Sequence, residues 1–568
     1  MGVGSRLIVK LLVRYERVNR DCSICEFSKE SVLEENTQSS DMLGDERPVQ
    51  TRASTPRSIR RPRTLEVASL SSGDAEQTAR KFKIALIDLN NFATFPTLAV
   101  GILVASLRNA GHEVEVVVPL AYDVPAAERE RRERGLDDLK HRIHLSTRPS
   151  LRIARDAIRA TRHWWNNRAH STVLREARNA IDRGAEIILL SAYLQHYRSV
   201  VEIGKIARDR GVPLLLGGPS FNIEATAEAW RGVPGLNALV GGEVDLSLPD
   251  IVKAVIEKGD LLAFPGVLLP DGRRSGTAPP LRELDRVPVP DFTDFPFDRY
   301  RMRVIPVMTG RGCQWNRCVF CNDIVTASGR TFRTRSVESV LYEIEEQMRR
   351  HEASNFLFLD LKLNSNPAMM RGIAERIRRH VPGAQWVGTV HVDRRKDNGL
   401  SYADLRSYVR SGMRRVSFGL ESGSQRLLDA MDKGSSVDGN AQFIREATEA
   451  GLSVRCTMFK GFPGETADDL IATARFLESH SEFIDRVRFN DFSLLEDTKI
   501  MKRVREEPET IPGLKVLHDD PKRCRTRYVN VDSQGRSYRN AKKRVLDVVY
   551  QINRREVRRT ARAFDGLM

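Results

Sequence analysis

With 568 residues the chain has room for two or three domains, and hydrophobic residues at 41% are enough to build their cores. Seven cysteines are too few for a disulfide framework, which excludes that class of secreted scaffold and fits a reducing compartment. A net charge of +16 would suit nucleic acid, yet no basic stripe interleaved with aromatics stands out, so a solvated basic surface is expected and a nucleic-acid partner is not. No run of 18 apolar residues occurs, so no membrane span is expected. Residues 7–14 are too short and too charged for a secretion signal, which makes a cytoplasmic protein the expectation.

Residues 1–80 read as a disordered tail, rich in Ser, Thr, Arg, Glu and Pro without a periodic apolar face. The Cys22-Ser-Ile-Cys25 pair inside it lacks a partner pair and is expected to carry no role. From residue 81 the pattern becomes β-α-β. Residues 83–89 predict a buried strand, 97–111 a helix with an apolar face, and 113–118 the next strand. Residues 125–182 read as a charged helical insert with Trp164-Trp165 at its middle. Strands at 187–191, 213–218 and 238–243 then alternate with helices at 199–210, 224–231 and 247–258. This alternation predicts a parallel, doubly wound, Rossmann-like α/β domain over 81–262. Its strands end in Ser191, Gly217-Gly218 and Gly242-Glu243, where small residues let a ligand approach the carboxyl edge. Ordinary turn chemistry explains any one of these glycines equally well.

Seven prolines from 265 to 296 mark 263–300 as a linker. From 301 to 500 about six βα units follow, with strands from Val304 and at 356–360, 385–390, 415–420, 453–459 and 486–492. They predict a partial (β/α)6, TIM-like barrel with its site at the strand carboxyl ends. Residues 501–568 read as a C-terminal helical extension with one clear helix at 540–563, placed to cover the barrel mouth or touch substrate.

The chemistry concentrates in Arg311-Gly-Cys-Gln-Trp-Asn-Arg-Cys-Val-Phe-Cys321. Three thiolates, Cys313, Cys318 and Cys321, can occupy three corners of one metal cluster. Closed zinc sites use four ligands, so three point to a site with an open position, such as a 4Fe–4S cluster with one free iron. Spacing alone leaves a zinc site or three unlinked thiols open. Downstream, Glu421 in Phe418-Gly-Leu-Glu-Ser-Gly-Ser-Gln425 could accept bonds from ribose hydroxyls or an ammonium, or sit at a helix start for the dipole. Lys460-Gly-Phe-Pro-Gly-Glu-Thr466 could pass close to an adenine, or be a strand-to-helix turn capped by Thr466. Asp360 and His391 end strands and could face the site. Cys456 reads as a core residue, and Cys524 has no assigned role.

The three cysteines, the aromatic Phe320 before the last of them, and these later strings resemble the radical S-adenosylmethionine (SAM) enzymes. That family typically reads Cys-x3-Cys-x2-Cys, whereas here four residues, Gln314 to Arg317, fill the first gap. The resemblance implies a 4Fe–4S cluster on Cys313, Cys318 and Cys321, with Phe320 beside it and SAM chelating the open iron. It places Glu421 and Ser422, with Gly461 and Pro463, around SAM. Ala110-Gly-His-Glu-Val114, Leu216-Gly-Gly-Pro219 and Gly241-Gly-Glu243 resemble the cobalamin-binding domain that precedes many radical SAM cores. That likeness implies Ser191, Gly217, Gly218, Gly242 and Glu243 as cobalamin neighbours. Asp88-Leu-Asn-Asn-Phe-Ala93 lacks the histidine motif, so no cobalt-ligating histidine is expected from that loop. The implied activity is reductive SAM cleavage and radical chemistry at an unactivated carbon, with cobalamin-dependent methyl transfer to a natural-product or peptide substrate and a flavodoxin or ferredoxin as reductant. Rearrangement, cyclisation or oxidation without cobalamin, or modification of a tRNA or peptide, is the alternative.

Overall fold

The computed structural model describes residues 80–126, 168–322, 327–511 and 513–567, with a few positions between 127 and 167. The expected tail, Cys22, Cys25 and the Trp164-Trp165 pair lie outside the described residues. None of the described helices is long and apolar enough to cross a membrane.

The first sheet holds β1 (Lys83–Asp88), β2 (Glu113–Val117), β3 (Ile187–Ser191), β4 (Leu214–Gly217), β5 (Leu236–Val240) and β6 (Val267–Leu268), in the order β2-β1-β3-β4-β5-β6. All pairings are parallel except β5 with β6. Near-continuous apolar runs such as Ile187-Ile-Leu-Leu190 form these strands because both faces are buried. Helices α1 (Leu98–Asn109) and α5 (Leu248–Ile256) cover one face; α2 (Ser171–Asp182), α3 (Tyr197–Asp209) and α4 (Glu224–Trp230) cover the other. This is the doubly wound arrangement expected, and its switch point falls between β1 and β3. The stretch expected as a linker is more ordered than its prolines implied. It adds β6, and its Phe292 ring lies flat on Gly101 of α1, where a Cβ would sit 2.3 Å from Cε1.

The second sheet holds β7 (Ile305–Val307), then a short pair β8 (Gly310–Arg311) and β9 (Arg333–Thr334) outside it, then β10 (Asn355–Phe358), β11 (Gln385–Val390), β12 (Met413–Glu421), β13 (Ser453–Lys460) and β14 (Arg486–Asp491). The six strands β7, β10, β11, β12, β13 and β14 are parallel and adjacent in chain order. They form a partial barrel, open between β14 and β7. Outer helices α6 (Val337–His351), α7 (Pro367–His380), α8 (Tyr402–Ser411), α10 (Val437–Ala450) and α11 (Ala467–Ser479) start on Ser336, Asn366, Ser401, Ser436 and Thr466. Each of these caps accepts a bond from the backbone N–H three residues on. Short α9 (Gln425–Ala430) sits between α8 and α10.

The last 70 residues depart from the expected helical extension. After β15 (Leu494–Leu495) and α12 (Lys499–Glu506) come β16 (Leu514–Asp520) and β17 (Arg525–Asn530), in an antiparallel sheet ordered β15-β17-β16. Leu-Lys-Val-Leu-His-Asp-Asp in β16 is mostly exposed and lacks an apolar alternation, so the strand left no hydrophobic signal. The long helix α13 is Arg536–Arg554, not 540–563. It stops because Arg555 turns extended, donating to Ile484 O at 2.9 Å while its own carbonyl accepts from Arg486 at 2.8 Å. Rather than covering the mouth, α13 runs along α11 and β14. The Asn553 carboxamide bonds both the N–H and the C=O of Val487, each at 2.8 Å, which pairs the open edge of β14 at that residue.

Gly412 ends α8 at φ +110, and a Cβ there would lie 2.0 Å from Ala384 O. Gly412→Ala therefore loses about 1–3 kcal/mol of stability. A urea unfolding midpoint equal to that of the native chain would refute this packing account.

Candidate active site

The cysteine loop rises from β8 and β9 at the carboxyl end of the barrel. Gly312 stands at φ +82, and Thr331 O would lie 2.1 Å from a Cβ there, so both backbone and space call for glycine. The four-residue gap between Cys313 and Cys318 is accommodated in two ways. Asn316 adopts a left-handed turn, φ 45, a conformation Asn tolerates. Trp315 is driven into a slot over Gly434, its Nε1 donating to Asp432 O at 2.7 Å. Val319 N then bonds Met431 O, and Ile500 N bonds Val319 O. All three cysteines are half-buried and unbridged. Among the described residues, no three Cys, His, Asp or Glu side chains are drawn to metal-ligating distance. The thiols share one field all the same. Burial pushes the Cys318 thiol up, Lys433 opposes this, and Cys313 adds to it.

Lys433 is a site residue that sequence reasoning missed. It follows α9 and is buried; its Nζ donates to Glu421 Oε1 at 2.8 Å and lies 5.8 Å from the Phe320 ring centroid. Burial works to lower its pKa, but Glu421 and the Cys318 and Cys321 thiols outweigh it, so the net direction is up. A lone lysine in Met-Asp-Lys-Gly carries no motif; only the fold brings it to the cysteines.

Glu421 is buried at the end of β12, at φ 58, where the register with β13 shifts by a bulge. That bulge turns its carboxylate to Lys433. Ser422 points elsewhere: its Oγ is 3.1 Å from Thr473 Oγ1 and accepts from Ser424 N, so it braces the loop against α11. Phe320 joins an aromatic wall with Phe459 and Phe492, centroids 5.1 and 6.4 Å away. Gly461, at φ +81 with open space beside its Cα, donates to Glu465 Oε2 at 2.6 Å, and its carbonyl accepts from Tyr528 at 2.6 Å. Pro463 is buried in the same turn.

Asp360 accepts from Thr309 Oγ1 at 2.6 Å just ahead of the cysteine loop, and burial raises it to about 6 against those bonds. His391 packs edge-on to Trp315 at 5.9 Å; burial, with Lys433 and Lys362 nearby, keeps it neutral, and its Nε2 has no hydrogen-bond partner. Cys456 is core, as expected. Cys524, given no role from sequence, accepts a weak bond from Asn322 at 3.6 Å and so ties the extension to the loop.

The first sheet's edge divides into two regions. Ser191 and Gly217 are paired neighbours at the carboxyl ends of β3 and β4, beside Gly218. Next to them opens a cavity of ≈ 400 Å³, lined by Tyr193, Gln195, Gly218 and Phe221 on one side and Ser493 and Arg525 on the other. Gly242 and Glu243 lie away from it. Gly242 packs on Ala278, and Glu243 receives Arg333 at 2.5 Å. Beside this pair, Asp245 takes the Arg311 fork at 2.6 and 2.9 Å. This edge is therefore committed to holding the base of the cysteine loop.

Residues 307–477 match the Radical SAM superfamily model. These residues are a radical SAM domain. An uncharacterized methyltransferase of Pyrococcus horikoshii is 27% identical over 301 residues, 51% of this chain and 63% of the relative. The anaerobic magnesium-protoporphyrin IX monomethyl ester cyclase of Rubrivivax gelatinosus is 26% identical over 257 residues, 43% of this chain and 45% of the cyclase. The chain thus spans less than two-thirds of the length of these curated relatives. Among solved structures, the radical SAM methyltransferase TsrM of Kitasatospora setae, with tryptophan and a SAM analogue bound, gives a TM-score of 0.57 at 17% identity, covering 82% of this chain and 88% of TsrM. The cobalamin-dependent SAM radical enzyme OxsB, with aqua-cobalamin and SAM bound, gives 0.60 at 16%, covering 82% and 66%. These two structures share the fold on both sides of the cysteine loop, the doubly wound sheet as well as the radical SAM domain.

Burial raises Glu465, in the turn after β13, to about 7, with Tyr538 and Gly461 opposing. Its folded pKa lies above its unfolded one, so the native state binds the extra proton and stability falls as pH rises from about 4.5 to 7. Glu465→Gln keeps an acceptor for Tyr538 and Gly461 and removes the proton. Its stability, relative to wild type, should rise by on the order of 3 kcal/mol between pH 4.5 and 7.5. Parallel unfolding curves for the two proteins across that range would refute the assignment.

Proposed function

We propose that the chain is a cobalamin-dependent radical SAM enzyme that methylates an unactivated carbon of a natural-product or peptide substrate, drawing electrons from a flavodoxin- or ferredoxin-like donor. The observation that carries this is the three-cysteine loop at the barrel mouth, with the buried Lys433–Glu421 pair beside it, together with a glycine-edged cavity at the carboxyl edge of the first sheet. The donor set fits a cluster with one open iron: three thiols on one loop, and an ammonium beside two of them to offset their charge. The cavity would take only an edge of cobalamin, at the sheet edge where Gly218 at φ 155 brings bare backbone to the wall. When bound, the cluster supplies the electron that splits SAM and cobalamin supplies the methyl group.

The residues divide the remaining work. Cys313, Cys318 and Cys321 would hold the cluster, and Lys433 would offset its charge. Glu421, fixed by Lys433, would bind SAM. Gly461 and Pro463 shape the adenine slot, with Gly461 held by Glu465 and Tyr528. Phe320, Phe459 and Phe492 exclude water from the cluster's flank. Gly218, with Ser191 and Gly217 beside it, would edge the cobalamin site; Gly242 and Glu243 support the cysteine loop. The likeness to the cyclase favours a second reading, ring closure or oxidation without methyl transfer.

Anaerobic reconstitution should give about four irons per chain, with one cobalamin, and Cys318→Ala should lose the iron. Iron without cobalamin selects the second reading, and no iron removes both. Lys433→Met takes a positive charge from beside the thiols, so the cluster's reduction potential should fall and Lys433→Arg should restore part of it. An electron paramagnetic resonance redox titration showing no shift would remove Lys433 from the site.

A further inference from the structure

The strand β17 carries Arg523 at its approach, Arg525 and Arg527, and it separates two cavities. One is the ≈ 400 Å³ space against the first sheet. The other, ≈ 290 Å³, lies between β17 and the carboxyl ends of β13 and β14. Arg525 and Ser493 line both. The second cavity is lined by Lys460, Arg525, Arg527 and Lys542 against a single carboxylate, Asp491. Asp491 is 2.8 Å from Lys460, but its side chain is 84% exposed, so it offsets little of the charge inside. Arg525 Nε is buried without a hydrogen bond, and the Asp520 carboxylate stands 3.6 Å off. Burial, then Arg527 and Arg523, lower the Arg525 pKa, as expected where positive charge is gathered without enough negative charge.

A walled cavity with this surplus favours an anion, and arginine forks match carboxylate and phosphate oxygens two at a time. The cavity also shares a wall with the Gly461 turn, since Tyr528 and Tyr538 of the extension bond Gly461 O and Glu465 there. We propose that this cavity is the substrate subsite, and that Arg525, Arg527, Lys460 and Lys542 take the carboxylate or phosphate group of a small anionic substrate. The inference rests on the reading of the barrel mouth as an active site, and it names that site's substrate class.

The test is a thermal-shift titration of the full chain with sodium pyrophosphate and with sodium malonate, against sodium chloride at equal ionic strength. At least one of the two anions should raise the melting temperature saturably, and Arg525→Gln/Arg527→Gln should weaken its binding at least about tenfold. Lys542→Gln, at the cavity rim, should weaken it less and guards against a folding defect in the double variant. Preference for pyrophosphate assigns a phosphorylated substrate; preference for malonate assigns a carboxylated one. No shift beyond chloride, or a shift that the arginine and lysine variants leave unchanged, overturns the proposal. Cys318→Ala should lose its iron and keep the anion response, so failure of the cluster reading and failure of this one are read on separate assays.

Discussion

The structure depends most on a buried ionic bridge. Arg311 and Arg333 leave the base of the cysteine loop and enter the loop after β5, where Asp245 and Glu243 receive them. All four side chains are nearly buried, at 8 to 11% exposure. Four charges taken from water are costly unless each finds a partner with good geometry, and removing one from such a set typically costs about 3–5 kcal/mol. Their bidentate geometry satisfies that condition and leaves little freedom in how the loop sits. The consequence is positional. Cys313 follows Arg311 by two residues, so the first sheet helps set where the thiols stand. This also explains why Gly242 and Glu243 do not line the ≈ 400 Å³ cavity: their part of the edge is occupied by the barrel.

A second buried charge works locally. Lys433 is surrounded by Glu421, the thiols and an aromatic face, and its own residue run is placed by Trp315 on Gly434. The loop that carries the cysteines therefore positions the cation that neutralises them. The long first gap contributes directly, since Trp315 and Asn316 lie within it. A departure from the common spacing thus serves as an anchor, with its left-handed residue at a position where Asn tolerates it.

Most of the architecture was legible because both sheets are buried on two faces. The first sheet's strands are near-continuous apolar runs, the later barrel strands alternate apolar with polar residues, and each outer barrel helix begins on a recognisable cap, so the six strands and five crossover helices are readable in order. The cysteine loop was legible from residue type alone. What escaped depended on contacts distant in sequence. Ser422 sits in a string that looks like a site, yet Thr473, some 50 residues on, turns its hydroxyl into packing. Glu243 was read as a cofactor neighbour because nothing local showed that Arg333 would reach it. Lys433 had no local signal. The strands β16 and β17 were missed because hydrogen bonds and ion pairs, not an apolar face, hold them.

Those same strands show why the extension belongs to the site's physics. Tyr528 and Asn530 of β17 bond the backbone at Gly461, Phe462 and Glu465, and Tyr538 of α13 reaches Glu465. The glycine-rich turn is thus clamped from outside the barrel at the point where its own backbone is freest. Trp230 of the first sheet's layer donates to Lys522 O at 2.9 Å, fixing the start of β17 to that layer. A single strand is tied to both halves of the chain while its arginines line the cavities on either side. The basic cavity, the glycine turn and the sheet edge are therefore mechanically linked through β17, and a change in this poorly patterned segment would alter the site without touching any cysteine.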